Sequence, residues 1–459
     1  MSDLCMRNGR LVTEAGLLSA HLYVRNGRIA AISSEPGMAS GEVVDAGGGL
    51  VFPGAIDAHV HFNDPGRTEA EDFFTGFSAA AAGGVTTVLE MPQTVPVVAD
   101  ESSFSSKKAG IGRRSVVDYG LYLVLTPDNI PRVEEMCSLK PMGFKCFLSH
   151  SDDIGMLDDG MLYEGMLGIQ RAGSRLVVHA ETGSLIDVLT ARLRSEGRGD
   201  PLAHAESRPP FVEVNAVART VSLAEETGAS VHIAHCSTPG GVGIVSRARA
   251  AGVPVTVETT PHYLALTSET LRDRGPYAKC NPPLRTRDEV EALWSRVAAG
   301  EVDIVASDHA PYTFADKDAG LDSIWSAPAG VTSIQTMVPV VLSEGRRRGL
   351  GWTRLAELVA AQPARVFGLY PAKGTLRVVS DADMFIFEPD AGWTVECGGL
   401  MYRQPWTPFE GMKVQGRIRR TLVRGRTVYL DSGEGGEITV SPGYGRFVFP
   451  GFSVDDRDG

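Results

Sequence analysis

Two histidines separated by one residue end an apolar run in the segment Asp57-Ala58-His59-Val60-His61. Side chains two residues apart on a strand point to the same face, so His59 and His61 can reach a single ion. Imidazole nitrogens are ligands of Zn²⁺, and they also suit Co²⁺ or Mn²⁺. The pair alone does not separate a metal site from two structural histidines.

Four more residues with ligand chemistry stand at or near the ends of other apolar runs. They are Lys145 in GFKCFL, His179 in VVHAE, His235 in VHIAHC and Asp308 in DIVASDH. A lysine in such a run is costly to bury without a partner or a lowered pKa, although its amine could instead reach solvent. Each of the other three alone could be a hydrogen-bonded core residue. Because such residues recur at the ends of several strands, we expect one shared metal site.

The elements that must position these residues are short apolar runs that alternate with helical patterns between residues 52 and 369. The runs are GAIDAHVHF, VTTVLEM, DYGLYLVL, MGFKCFL, RLVVHAE, SVHIAHC, VPVTVETT and VDIVASD. Apolar strands that alternate with helices indicate an α/β fold with a parallel sheet covered on both faces. Eight repeats favour closure into a TIM (β/α)8 barrel, whose active site lies at the carboxyl ends of the strands.

Residues 1–51 and 370–459 have a different pattern, with short strand-like runs broken by glycine. RLVTEAG, HLYVRNG and RIAAISS come before the barrel, and ADMFIFEP, GRIRRTLVRG and RTVYLD come after it. Such runs are typical of small strands in hairpins. We expect the two ends of the chain to pair into one small β-sandwich domain beside the barrel, which takes residues 52–369.

The composition excludes several classes of partner. Among 459 residues, 44 Lys and Arg stand against 56 Asp and Glu, and this net charge of −12 does not fit a nucleic-acid binder. The first residues do not form a charged stretch followed by an apolar one, as in a signal peptide, and no run reaches about 18 apolar residues. We therefore expect no membrane partner. The six cysteines form no CxxC pair. These features favour a soluble, cytoplasmic protein.

Several motifs together resemble the cyclic amidohydrolase branch of the amidohydrolase superfamily, which includes dihydroorotases, hydantoinases and allantoinases. They are DAHVHFNDPGRTEAEDF, GFKCF, VHAE, AHCS, ETTPHYL, KCNPPLR and VASDHAP, and they occur in the family's order along nearly the whole chain. The resemblance implies a centre of two divalent metal ions, usually zinc. It also implies a homodimer or homotetramer.

Carried over residue by residue, the resemblance implies that His59, His61 and Asp308 hold one ion. It implies that His179 and His235 hold the other, and that Lys145, carboxylated on its amine by carbon dioxide, bridges the two. The reaction implied is hydrolytic opening of a cyclic amide by a hydroxide held between the ions. Asp308 would take the hydroxide's proton and deliver it to the leaving ring nitrogen, although a role as a ligand alone is compatible with the sequence.

The segments HVHFNDPGRTEAEDF, GVTSIQTMVPVVLSEGRRRG and MYRQPWTPFEG resemble allantoinases most, which implies conversion of allantoin to allantoate. Dihydroorotases usually carry arginine, asparagine and histidine where this chain has Asn63, Gln93 and Tyr312. The chain departs from allantoinases at Asn281, in EMPQT and in DYGLYLVLTPDN. Asn63, Gln93 and Asn281 are candidate contacts to a ureide or imide ring, and a structural turn or loop role is the alternative for each.

Other functions fit the same fold. A hydantoinase, dihydropyrimidinase, cyclic imidase or dihydroorotase-like enzyme would act on another small cyclic amide. A non-catalytic scaffold relative would keep the barrel and lose metal ligands, and fold alone does not decide between these classes. All six ligand positions are filled in this chain, so the sequence favours an enzyme.

Overall fold

The computed structural model describes residues 2–35, 37, 41–151, 154–433 and 435–452. Its strands are β1 (Leu4–Arg7), β2 (Arg10–Thr13), β3 (Gly16–Ser19), β4 (His21–Arg25), β5 (Arg28–Ser33), β6 (Glu42–Asp45), β7 (Leu50–Pro53), β8 (Ala55–Val60), β9 (Val85–Glu90), β10 (Asp118–Leu121), β11 (Leu123–Val124), β12 (Phe144–Phe147), β13 (Leu176–His179), β14 (Val231–Ile233), β15 (Val255–Thr259), β16 (Ile304–Val305), β17 (Met384–Thr394), β18 (Lys413–Val423), β19 (Arg426–Asp431) and β20 (Gly436–Ile438).

The helices are α1 (Phe73–Ala82), α2 (Glu101–Gly112), α3 (Val133–Met136), α4 (Asp159–Ala172), α5 (Gly183–Ser195), α6 (Pro201–Ser207), α7 (Pro210–Thr227), α8 (Pro239–Ala250), α9 (Pro261–Ala265), α10 (Ser268–Arg274), α11 (Arg287–Ala298), α12 (Phe314–Asp318), α13 (Ile334–Arg347), α14 (Trp352–Ala356) and α15 (Gln362–Val366). A π-helical turn, Glu357–Ala361, joins α14 to α15. No helix within these described residues is both long and apolar enough to cross a membrane.

Strands β8 to β16 form the predicted barrel, and neighbouring strands in it are parallel. β10 and β11 are two parts of one barrel strand, interrupted at Tyr122, so each of the eight predicted runs supplies one strand. The ring closes between its last and first strands. There, His61 N donates to His309 O at 2.7 Å, and Val60 and His309 form a parallel β-bridge. The predicted TIM barrel is confirmed.

The barrel strands are buried on both faces, which explains their nearly continuous apolar sequences. Apolar side chains from successive strands form one cluster, and residues from beyond the barrel join it: Ile56, Leu89, Tyr122, Val177, Ala234, Phe367 and Val448. Helices α8 and α9 begin soon after the strands β14 and β15 end. The Thr238 side chain accepts from Gly241 N, and Pro239 and Pro261 occupy first helical turns, where a missing N–H costs nothing. The turn after β14, which carries His235, is therefore short.

Strands from both ends of the chain build two sheets beside the barrel, as the sequence predicts. One has the order β5-β4-β1-β6, and the other has the order β20-β19-β18-β17-β7-β2-β3. Side chains of both sheets share one buried apolar cluster, which makes the pair a β-sandwich. The cluster includes Leu4, Leu22, Ile29, Leu11, Val51, Met384 and Leu422.

Near the predicted boundaries, some residues assigned to the barrel pair with the sandwich, and some assigned to the sandwich contact the barrel. Strand β7 crosses the predicted boundary at residues 51 and 52, because it pairs with β2 and β17 in the sandwich. Late in the chain, Val448 N donates to Tyr119 O on the barrel at 2.8 Å, and Trp406 Nε1 donates to Tyr312 O at 2.8 Å. The division at residues 52 and 369 stays a prediction.

Candidate active site

A cavity of about 540 Å³ opens at the carboxyl ends of the barrel strands. All the site residues predicted from the sequence line it: His59, His61, Asn63, Gln93, Lys145, His179, His235, Asn281 and Asp308. They come from different strands and turns, and barrel closure brings them together. Four of the imidazole rings form a continuous row, with centroids 5.3 Å apart for His61 and His59, 5.2 Å for His59 and His235, and 4.6 Å for His235 and His179.

At one end of this row, three residues could together bind a metal ion. Ligand atoms of His59, His61 and Asp308 all lie within 4.8 Å of one another. Asp308 Oδ1 is 3.3 Å from His59 Nε2 and 3.5 Å from His61 Nε2. His59 Nδ1 donates to Glu258 at 2.5 Å, which turns Nε2 toward the cavity. A carboxylate that orients a histidine in this way is usual at metal centres.

The other end of the row has two further imidazole donors. His179 Nδ1 and His235 Nε2 are 3.0 Å apart, and both residues are buried. The other ring nitrogen of His179, Nε2, donates a hydrogen bond to Glu181 Oε2 at 2.8 Å. Arg208 pairs with the same carboxylate, and it helps to hold the pKa of Glu181 near 2 although burial alone would raise it. His179 Nδ1, which faces His235 Nε2, is therefore the nitrogen that could bind a metal ion.

Lys145 lies on β12 and is completely buried. Its Nζ has no hydrogen-bond partner, and it stands 5.2 Å from the centroid of the Phe147 ring. Burial lowers the pKa of the Lys145 amine to about 8, so much more of it is neutral near pH 7 than for an exposed lysine. A buried amine without a hydrogen-bond partner, and with an accessible neutral form, is available for modification.

These groups fit a bound cation. Buried polar atoms normally have hydrogen-bond partners, yet His59 Nε2 and Lys145 Nζ have none. Imidazole nitrogens and a carboxylate are the donor set that divalent ions such as Zn²⁺ prefer. The residues present could therefore hold metal at this cavity.

Burial and neighbouring charge also set the ionisation that metal binding needs. Burial lowers the pKa values of His61, to about 4, and of His179 and His235, so the rings are neutral near pH 7. Burial alone would raise the pKa of Asp308, but His59 and His61 outweigh it and hold that pKa below its usual value. The centre thus combines neutral imidazoles with an anionic carboxylate.

Three of the predicted residues have backbone conformations that residues other than glycine rarely adopt. The φ angle is 60° at Asn63, 34° at His235 and 46° at Asp308. A positive φ is uncommon outside glycine, and such residues cluster at functional sites. Each follows the end of a barrel strand, so the chain turns sharply where it presents these side chains.

The three predicted substrate contacts are not equivalent. Asn63 Nδ2 donates to Pro311 O at 2.6 Å, and Gln93 Nε2 donates to Ser151 Oγ at 2.8 Å. Asn281 Oδ1 is buried and has no hydrogen-bond partner. The Asn281 amide is thus the most available of the three, while the donors of Asn63 and Gln93 also hold neighbouring turns.

Sequence reasoning missed residues that contact the predicted ligands. Glu258, on β15, binds His59 Nδ1, His232 Nε2 and the backbone N of His235. The signal was an acidic residue inside the apolar run VPVTVETT. His262 was also missed, and both of its ring nitrogens are buried without a hydrogen-bond partner.

Comparison with known proteins agrees with this geometry. The amidohydrolase family matches residues 158–428, and a family described as dihydro-orotase-like matches residues 48–240. An allantoinase of Rubrobacter xylanophilus is 42% identical over 452 residues, which cover 98% of each chain. An L-hydantoinase of Paenarthrobacter aurescens is 36% identical over 459 residues, again 98% of each. The solved L-hydantoinase (dihydropyrimidinase) from Arthrobacter aurescens superposes with a TM-score of 0.94 at 35% identity, covering 98% of this chain and 100% of that chain.

The chain belongs to the amidohydrolase family. It is therefore a hydrolase on a TIM barrel with a flanking β-sandwich, and the resemblance read from the motifs is confirmed.

Proposed function

We propose that the protein opens the ring of allantoin by hydrolysis to give allantoate. The observation that carries the proposal is the row of four imidazoles at the mouth of the barrel, together with the Asp308 carboxylate and the buried Lys145 amine. A scaffold relative that had lost its ligands would not keep this complete set.

For the metal centre, we propose that His59, His61 and Asp308 hold one divalent ion and that His179 and His235 hold a second. Lys145, carboxylated by carbon dioxide, would give one oxygen to each. Zinc suits this donor set, and Co²⁺ or Mn²⁺ are alternatives. When bound, such ions lower the pKa of water toward 7 and polarise a carbonyl group.

The residues of the chain then have separate tasks in the reaction. Asp308 accepts a proton from the attacking water molecule and delivers it to the ring nitrogen that leaves as the amide bond breaks. The carbonyl carbon gains the hydroxyl group and the nitrogen gains the proton, so the single open-chain product carries a carboxylic acid at one end and a ureido NH2 group at the other. Asn63, Gln93 and Asn281 would contact the polar edges of the ring.

The choice of allantoin rests on the relatives and on the cavity. The Rubrobacter relative named allantoinase is more similar in sequence than the Paenarthrobacter L-hydantoinase, at 42% against 36% identity. Arg67, Arg194 and Asp187 also line the outer cavity, which suits a substrate with a polar side group. Hydantoin hydrolysis is the second candidate because of the TM-score of 0.94 to an L-hydantoinase.

Parallel assays of metal-loaded protein with allantoin, hydantoin, dihydrouracil, dihydroorotate and succinimide test the assignment. We expect allantoin to give the highest kcat/KM. Faster opening of hydantoin would move the assignment to the second candidate, and no ring opening at all would reject a cyclic amide hydrolase. A homodimer or homotetramer and a cytoplasmic location also stay predictions.

A further inference from the structure

One wall of the cavity is the segment from Ile324 to Gly330, here called the wall segment. Five of its residues line the cavity: Trp325, Ala327, Pro328, Ala329 and Gly330. Apart from a 3₁₀ turn at Ile324–Ser326, the wall segment has no helix or strand to hold its shape. Its conformation therefore depends on contacts from elsewhere in the chain.

Two buried lysines supply those contacts. Lys317 Nζ donates to Pro328 O at 3.0 Å and to Gly330 O at 2.6 Å. Lys279 Nζ donates to Ile324 O at 2.8 Å and to Ala327 O at 2.5 Å. Four carbonyls of the wall segment are thus held by ammonium groups, and Gly330 N donates back to Lys279 O at 2.9 Å.

Lys317 differs from Lys107 and Lys373, which are also fully buried. The ammonium of Lys107 binds Glu90, and that of Lys373 binds three aspartates. The Lys317 ammonium instead binds two carbonyls and lies 5.3 Å and 5.2 Å from the centroids of the Tyr312 and Trp406 rings. Burying a lysine without a carboxylate is costly, and burial lowers the pKa of Lys317 to about 7. The contacts to the wall segment and the rings must offset that cost.

We propose that Lys317, assisted by Lys279, is a positioning residue that fixes the wall segment and so sets how tightly the cavity binds substrate. The reason is geometric: Lys317 touches no predicted ligand or proton carrier, yet it holds backbone that lines the cavity. Loss of the lysine donors should let this wall move while the metal centre stays intact. The kinetic part of this inference rests on the proposed function.

The test uses the full-length, metal-loaded protein with Lys317→Met, which keeps the apolar length and removes the donors. We expect KM for allantoin to rise at least about tenfold with kcat within about threefold, the pattern of lost uniform binding. Bound metal per chain should equal that of the unaltered protein. Lys108→Met is the matched control. Lys108 Nζ lies over an aromatic ring, 3.9 Å from the Phe447 centroid, but Lys108 does not line the cavity.

Hydrogen–deuterium exchange supplies a measurement that does not depend on activity. In Lys317→Met, amides of residues 324–331 should exchange at least about tenfold faster, with barrel strands unchanged. Gly330→Ala should give the same two results without altering a lysine, because a Cβ there would lie 2.6 Å from Ala310 O and 2.7 Å from the Tyr312 ring. If Lys317→Met does not fold, Lys279→Met, which removes the donors to Ile324 O and Ala327 O, decides the matter by the same exchange measurement.

Two results would overturn the proposal: unchanged KM and exchange in a folded Lys317→Met protein, or faster exchange spread over the whole barrel. If the unaltered protein opens no cyclic ureide, the proposed function fails. In that case exchange in the wall segment still decides whether the lysines hold it.

Discussion

At the scale of residues, the cavity combines imidazoles that must be neutral to bind a cation with a carboxylate that must be anionic to accept a proton. The imidazoles of His61, His179 and His235 are kept neutral by burial, which leaves their nitrogens able to bind a cation. Asp308 is kept anionic by the adjacent histidines in spite of burial. The carboxylate is thus ready to accept a proton at neutral pH, which is the task proposed for it.

The substitution Asp308→Asn tests that task directly. The asparagine side chain keeps the size and one oxygen of the aspartate but cannot take up a proton. We expect kcat to fall by roughly 10²–10⁴-fold, the usual size of a general acid–base contribution. Much of the metal should stay bound, as measured by elemental analysis of the purified variant. Near-normal turnover by the variant would show that another group carries the proton.

That the predicted ligand residues meet in one cavity could be predicted because their types are improbable at the ends of buried strands. His59, Lys145 and His235 are each ambiguous alone, and it is their recurrence at several strand ends that indicates a site. The contact of Glu258 with His59 could not be predicted, because the two residues meet only after the barrel has closed. Glu181, in contrast, follows His179 by two residues, so their contact is local. The amide donors of Asn63 and Gln93 are likewise bound to neighbouring turns that no spacing in the sequence reveals.

At the scale of elements, β15 contributes to the site without supplying a ligand. Its residue Glu258 is 1% exposed and contacts His59 on β8, His232 on β14 and the backbone of His235. One carboxylate thereby fixes the ends of β8 and β14 against β15. Strand order and register, rather than local sequence, decide this contact.

Glu258→Gln should weaken metal binding about 10–100-fold, as is usual when the carboxylate behind a ligating histidine is changed. The amide keeps the shape but loses the charge that favours His59 with its proton on Nδ1. Titration of metal-free protein with Zn²⁺ against a competing chelator measures the effect. Glu344→Gln is the control, since Glu344 pairs with Arg347 and Arg348 away from the cavity. Equal zinc affinity for the two variants would contradict the role of β15.

The elements themselves were predicted well from the alternation of apolar runs with helices. The eight runs of the barrel all became strands, since the pattern reflects burial on both faces. The sharp turns after the strands could not be predicted, because a φ of 46° at Asp308 or 34° at His235 goes against the preference of the residue. The surrounding barrel imposes these conformations.

At the scale of the whole molecule, a buried charge cluster joins the barrel to the sandwich. Lys373 Nζ lies 2.7 Å from Asp118 on β10 and 2.7 Å from Asp383 beside β17. Arg424 also pairs with Asp118. Burial would raise the pKa of Asp118, but Arg424 and Lys373 outweigh it and hold that pKa well below its usual value.

The depressed pKa of Asp118 makes the cluster a source of acid sensitivity. A carboxylate whose folded pKa is lowered adds stability above its unfolded pKa, about 3.9, and that stability is lost as the pH falls toward the folded pKa. We expect Asp118→Asn to lower Tm clearly at pH 7, and the gap between the two proteins to shrink below about pH 4. Thermal unfolding of both proteins from pH 7 to pH 3 measures this. A gap that stays constant over that range would contradict the linkage.

The account as a whole depends on metal held by the imidazole row and the modified lysine. Its most direct test is metal removal and return on one preparation, with allantoin opening and bound metal measured at each step. We expect chelation to abolish activity, and Zn²⁺ with bicarbonate to restore it in proportion to binding of two ions per chain. Full activity in metal-free protein, or no ring opening after two ions have bound, would contradict the central claim.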